Sequence, residues 1–189
     1  MSLLDAASSN PREGGPSFSL RHRIFRAVWG LTWALLGRWT PVPLHGWRRF
    51  LLKCFGANLH STARVYPSAR IWYPPHLHMG QHAVLGPNVI CYCMDRITVG
   101  DFAIVSQGAH LCGGTHDPDD PHFQLLPKPI TIGANAWVAA EAFVGPGVVV
   151  GEGAVLGARG VTVRNLAPWT IFAGNPAKAI RDRKMRPDR

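Results

Sequence analysis

The chain has 189 residues, 47% of them apolar, and 20 Lys and Arg against 11 Asp and Glu give it a net charge of +9. That length supports one domain with a sizeable core. The longest uncharged apolar run, Ala27 to Gly37, falls far short of the ~20 residues that span a bilayer, which argues against an integral helical membrane protein.

The charge sits at the ends, with +6 over residues 1–55, +4 over residues 178–189 and −1 between them. Neither end carries a nucleic-acid recognition motif, so no nucleic-acid partner is expected. Residues 1–19 are polar and rich in Ser, Pro and Gly. They predict a disordered tail, because a signal peptide needs an apolar core and a cleavage site. Residues 20–56 predict a helical segment in two parts. The first part is LRHRIFRAVWGLTWALLGRW, and the second, roughly Leu44–Phe55, carries Trp47, Phe50, Leu51 and Phe55 beside Arg48, Arg49 and Lys53. Pro41-Val42-Pro43 breaks the two apart. The pair has two compatible roles. It can cap the open end of the domain that begins at residue 57, or rest a basic, Trp-rich face on anionic lipid through Arg21, Arg23, Arg26, Arg48, Arg49 and Lys53.

From residue 57 the pattern changes. Leu59, Val65, Ile71 and Leu77 fall six apart, and the series restarts at Met79 as MGQHAV, LGPNVI, CYCMDR. After a skip of Ile97 and Thr98 it continues from Val99, and after a skip of 117–131 it continues from Ile132 to Val161. The first position is always apolar: Met79, Leu85, Cys91, Val99, Val105, Leu111, Ile132, Val138, Val144, Val150, Leu156. The second is small except at Tyr92, and the fifth is small or β-branched except at Asp95. A helix needs apolar residues every three or four positions and a flat strand every second one. A period of six predicts instead a coil with three short faces. The first residue points into the prism, and the small second and fifth residues ease the corners. The expected fold is all-β: a left-handed parallel β-helix over 57–175 with an N-terminal helical cap and a basic C-terminal tail over 176–189.

The second skip, DPDDPHFQLLPKPIT, leaves the prism as an excursion loop over 117–131. Insertions in solenoids gather on one face, often the binding face. His116 is read as the last coil residue before that loop, and an imidazole there can exchange a proton near neutral pH. Cys54, Cys91, Cys93 and Cys112 sit in apolar or repeat positions and read as packed thiols of a reducing compartment. Cys91-x-Cys93 is a weak metal signal, since Cys91 points inward and no second pair follows.

The run SQGAHLCGGTHD, then ITIGANAWVAAEAFVGPGVVVGEGAVLGARGVTVRNLAPWTIFAGNPAKAIR, resembles the hexapeptide-repeat O-acetyltransferases, among them the galactoside, maltose and nodulation-factor enzymes. The front RAVWGLTWALLGRW with PLHGWRRFLLKCFGA resembles that of the colanic-acid-biosynthesis type. The resemblance implies a homotrimer with sites between prisms, acetyl-CoA as the acyl donor, a saccharide acceptor and no metal. It places His116 on the catalytic base, which would deprotonate a sugar hydroxyl. It places the Ala140 N–H on the oxyanion donor, Trp137 on the cofactor and acceptor wall, and Ala158 on the pantetheine arm. Asn175, Lys178 and Arg181 fall at the nucleotide end of coenzyme A. Cys112-Gly113-Gly114 and Asp117 depart from the galactoside-type pattern, so acceptor contacts do not transfer. Tyr92, Asp95 and Asp117 are offered as acceptor contacts because the first two break the repeat rule and the third follows the histidine. The implied location is cytoplasmic, with peripheral contact at the inner face of the plasma membrane. Two alternatives stay open. One is a zinc enzyme of the γ-carbonic-anhydrase type, which needs ligand histidines five apart where His110 and His116 are six apart. The other is a non-catalytic scaffold.

Overall fold

The computed structural model describes residues 3–185. Every first-position residue from Met79 to Leu156 is buried, and Leu59, Val65, Ile71 and Leu77 join them in one continuous core. Three parallel sheets form the faces of the prism. The first face stacks Asn58–Leu59, Leu77–Met79, Ile97–Val99, Ile130–Ile132 and Val149–Val150. The second runs from Arg64–Val65 through Trp137–Val138 to Thr170–Ala173. The third runs from Arg70–Ile71 through His110–Cys112 to Val161–Thr162.

The skip at Ile97 and Thr98 is not an interruption. Leu77, Ile97 and Ile130 pair with one another across three coils and are fully buried, and the residues two on, Met79, Val99 and Ile132, are buried as well. The first face is simply longer there, and the coils run 20 residues, Leu59 to Met79 and Met79 to Val99, before shortening to 18 from Ile132 to Val150. The excursion therefore ends at Pro129, since Ile130 and Thr131 already lie in the prism.

The corners also differ from expectation. The left-handed backbone falls at the fourth position of the repeat, at His82, Asn88, Phe102, Asn135, Glu141 and Arg159, a conformation uncommon outside glycine. The second position is glycine for another reason. A Cβ on Gly100 would lie 2.7 Å from the Ala134 nitrogen, and one on Gly133 would lie 2.6 Å from the Glu152 nitrogen. The next coil passes too close to admit a side chain.

The carbonyls at the first and fifth repeat positions point back to the preceding coil and accept its N–H groups, as Ala83 O does from Arg64, Ala103 O from Val84, Ala136 O from Ile104 and Ala154 O from Trp137. In the first coil the equivalent carbonyls, those of Ala63, Val65, Ala69 and Ile71, face the open end with no strand to satisfy them, and a buried carbonyl left so costs about 1–3 kcal/mol. The helical segment supplies the donors. It comprises α1 (Ala6–Ser9), α2 (Leu20–Thr32, continued by one π turn, Trp33–Gly37) and α3 (His45–Cys54). Trp29 Nε1 donates to Ile71 O (2.7 Å) and Trp33 Nε1 to Ala69 O (3.0 Å). Arg48 Nε donates to Val65 O (2.7 Å), and Arg49 to Ala63 O (2.9 Å). Arg48 is fully buried and also donates to Thr40 Oγ1, Pro41 O and Val42 O. These residues are a cap. Arg48 and Arg49 face the prism and not lipid, and Arg26 lies over the Trp72 and Phe18 rings.

Residues 3–19 are folded, contrary to the expected tail. Leu3 bridges Phe18, and the segment packs on the excursion: Ala6 N donates to Gln124 Oε1 (2.7 Å) and Arg12 to Pro121 O (2.7 Å). At the other end, Lys178–Asp182 is no free tail but pairs antiparallel with Thr170–Ala173. Arg183 then reaches back to Asn135 O and Gly153 O. The rest of the expected tail, 186–189, lies outside the described residues. Of the thiols, Cys91 and Cys93 are buried, Cys112 is half-buried and Cys54 is exposed, so Cys54 is not a packed thiol.

Candidate active site

The excursion leaves the prism earlier than the repeat suggests. The third-face strand ends at Cys112, and Gly114–His116 already pairs antiparallel with Leu125–Pro127. Gly113 and Gly114 are required at the exit. A Cβ on Gly113 would lie 2.8 Å from Tyr92 O, and one on Gly114 would strike Met94 Sδ. His116 therefore stands on the arm of a hairpin, paired with Leu125, and not on the coil itself.

The ring of His116 is oriented by Phe123. The two rings stack with centroids 4.2 Å apart at 12°, and His116 Nδ1 lies 2.8 Å from Phe123 O. A carbonyl only accepts, so Nδ1 carries the proton and Nε2 keeps its lone pair. That is the tautomer a general base needs. Phe123 sits in the left-handed region, in a turn built on Asp120. The Asp120 carboxylate accepts from His122 N (2.9 Å) and Gln124 N (3.0 Å), and these bonds hold its pKa below the usual carboxylate range. Arg12 lies over Phe123. Sequence reasoning missed Phe123 and Asp120; the DPDDP run signalled a turn but not which residue it would aim at the histidine.

The three expected acceptor contacts lie at this corner, between the third and first faces. Asp117 is committed to the hairpin, with its Oδ1 accepting from Asp119 N (3.0 Å), so it does not orient the imidazole. Asp95 accepts from Arg96 N (2.6 Å) in the turn directly below the excursion. Tyr92 packs edge-on to Trp72 at 5.3 Å, and burial pushes its phenol up. It lines an apolar groove of about 390 Å³ between α2 and the prism with Arg26, Trp29, Trp33 and Arg70, a groove that His116 does not line.

The expected cofactor residues gather elsewhere. Trp137 lies on the second face, 45% exposed, with Nε1 donating to Ser106 Oγ (2.9 Å). Ala140 and Ala158 occupy the corner between the second and third faces in successive coils, linked by Arg159 N donating to Ala140 O (2.9 Å). Neither alanine's own N–H has a hydrogen-bond partner among the described residues. One coil further, Gly174 O accepts from Val161 N, so Asn175 continues that corner. Lys178 and Arg181 lie beyond it on the exposed C-terminal strand, where Arg181 donates to Asp182 O (2.9 Å). One chain thus carries His116 at one corner and the Trp137–Ala140–Ala158–Asn175 column at another. The structure does not bring the two together within a protomer.

The histidine pair of the zinc alternative is also apart. His110 lies on the third face, edge-on to Phe143, with its pKa lowered by burial, while His116 turns to Phe123. Among the described residues no three His, Cys, Asp or Glu side chains gather as a ligand set.

No protein-family model matches the chain. WcaF of Escherichia coli (strain K12), whose name gives it a provisional place in colanic acid biosynthesis as an acetyltransferase, is 39% identical over 156 residues, 82% of this chain and 86% of that protein. Among solved structures, a maltose O-acetyltransferase from Clostridium difficile 630 aligns with a TM-score of 0.77 at 21% identity, over 88% of this chain and 90% of that one. The hexapeptide-repeat acetyltransferase VCA0836 of Vibrio cholerae, solved with acetyl coenzyme A, aligns at 0.76 and 22%, over 88% and 91%.

Proposed function

Because the chain belongs to the hexapeptide-repeat acetyltransferases, enzymes of acyl transfer from coenzyme A, we propose that it acetylates a hydroxyl of a saccharide with His116 as the general base. The observation that carries this reading is the Nδ1–H bond to Phe123 O, which leaves Nε2 as the free acceptor. In the proposed step Nε2 takes the proton of the acceptor hydroxyl as its oxygen attacks the thioester carbonyl of acetyl-CoA. A positioned imidazole is worth about 10²–10⁴ in rate. The tetrahedral oxyanion accepts from the unpartnered Ala140 N–H. Collapse breaks the C–S bond, and the imidazolium returns its proton to the departing thiolate. Ester and free coenzyme A result.

Trp137, Ala158, Asn175, Lys178 and Arg181 would hold the donor along their corner, with Lys178 offering its charge to phosphate. Asp95 and Asp117 would border the acceptor side, while Tyr92 is turned to the groove beside α2. The separation of the two corners within one chain supports a homotrimer in which the histidine of one protomer meets the cofactor column of its neighbour. An acceptor carried on lipid would place the enzyme at the inner face of the plasma membrane. The test is thiol release from acetyl-CoA across a panel of polysaccharide-repeat intermediates. Release should depend on one class of saccharide and on His116. Release that ignores every saccharide offered, or that survives in His116→Ala, would overturn the assignment.

A further inference from the structure

The outward face of α2 is apolar. The inward face is spent on the prism through Trp29 and Trp33. On the other side Leu20, Ile24, Val28, Leu31 and Leu35 recur at helical spacing and are all exposed, Leu31 by 62% and Leu35 by 64%. Trp39 beyond them is 82% exposed, and Trp47 stacks on Phe50 in the open, at 5.6 Å and 28°. A surface helix in water turns charged and polar residues outward, so a helix that is apolar here expects something to cover it.

Charge identifies the occupant. On a helical wheel Arg21 and Arg23 flank the stripe on its two sides, and Arg38 just past its end and Lys53 on α3 are exposed. From Gly14 to Met94 the chain has nine Arg and Lys and no Asp or Glu. The same face of a second copy would bring two sets of arginines together with no acid in that span to pair them. An anionic bilayer surface satisfies both features. Leucines and tryptophans enter the boundary between headgroups and acyl chains, while the arginines meet lipid phosphates. No helix among the described residues is long and apolar enough to cross a membrane.

We propose that the outward face of α2, with Trp39, Trp47 and Phe50, seats this protein on the surface of an anionic bilayer. The seat is independent of the acyl-transfer reading, and its test is read without turnover. The full-length protein is sedimented with phosphatidylglycerol vesicles and with phosphatidylcholine vesicles, at low and high salt. The wild type should pellet with the anionic vesicles, and salt should weaken that binding. The double variant Leu31→Glu/Leu35→Glu should lose about tenfold or more of its partitioning, with melting temperature and solution mass unchanged. Arg21→Gln/Arg23→Gln should weaken binding to phosphatidylglycerol alone. Wild type that ignores phosphatidylglycerol, or equal partitioning of wild type and the leucine variant, overturns the proposal. So does a fall in solution mass on Leu31→Glu/Leu35→Glu, which would make the face a contact between copies of the chain.

Discussion

Val105 in the prism is held by Leu85 in the coil before it and Val138 in the coil after. Gln124 in the excursion is held by Ala6 and Leu4, and Pro121 by Arg12, across separations of 118, 120 and 109 residues. In the prism a side chain touches its own equivalents, so any apolar residue of similar volume serves. In the hairpin each contact is particular, and the reward is an imidazole with one nitrogen pinned and the other free. The contrast separates a repeat that supplies stability from an insertion that supplies chemistry. Mutations should divide along the same line.

The largest expected effect is chemical. His116→Ala should lower kcat by about 10²–10⁴-fold, while the melting temperature hardly moves, because the ring buries little and its loss leaves the prism untouched. Parallel thiol-release and thermal-melt measurements check this, and a large drop in stability would mean that the hairpin also holds the fold. Leu111→Ala is the converse. Leu111 is fully buried between Cys91 and Val144, and truncation should cost about 2–5 kcal/mol of stability. Activity per folded molecule should survive below the new melting point. Urea titration against turnover at low temperature checks that result.

Acid should loosen the seam between the N-terminal cap and the prism. His22 is buried, stacks on Phe18, lies tilted against Tyr73, and has no hydrogen-bond partner at either ring nitrogen among the described residues. Burial, helped by the nearby Arg26 charge, lowers its pKa from 6.5 to about 4. Between those values the unfolded chain binds a proton that the native chain refuses. Stability should therefore fall as pH drops from 6.5 to about 4 and level off below, as far as this group is concerned. His45, His76, His78 and His110 are also lowered, with burial the main cause, and act in the same direction. His22→Phe should then flatten part of the slope of melting temperature against pH, and an unchanged slope would remove His22 from the account. The smallest effect belongs to Asp117→Asn. The carboxylate accepts from Asp119 N and leaves the imidazole to Phe123, and an Asn oxygen can accept the same bond. Stability and the transition-state barrier should each shift by less than about 0.5 kcal/mol, as melts and kcat/KM will show. A loss approaching that of His116→Ala would put the carboxylate in the chemistry.

The six-residue count determined the prism from sequence alone. Its inward residues, its three faces and the existence of an excursion beside His116 all come from a period. In a solenoid the neighbours in space are the neighbours in the repeat, so a local pattern carries the tertiary contact. The same reading mistook the lengthened first face for an interruption, because Leu77, Ile97 and Ile130 become equivalent only when the coils are stacked. It also assigned the corner turn to the small residues and not to the fourth position, since a glycine kept for close approach and a glycine kept for positive φ look alike in a sequence. What only the tertiary structure decided depends on direction and long range. Because the carbonyls at the first and fifth positions point back along the axis, the first coil is left with bare carbonyls, and Trp29, Trp33, Arg48 and Arg49 turn inward to meet them. Residues 3–18 settle on a hairpin a hundred residues away, where Phe123 sets the tautomer of His116. No local period encodes a hydrogen bond between partners so far apart in the chain.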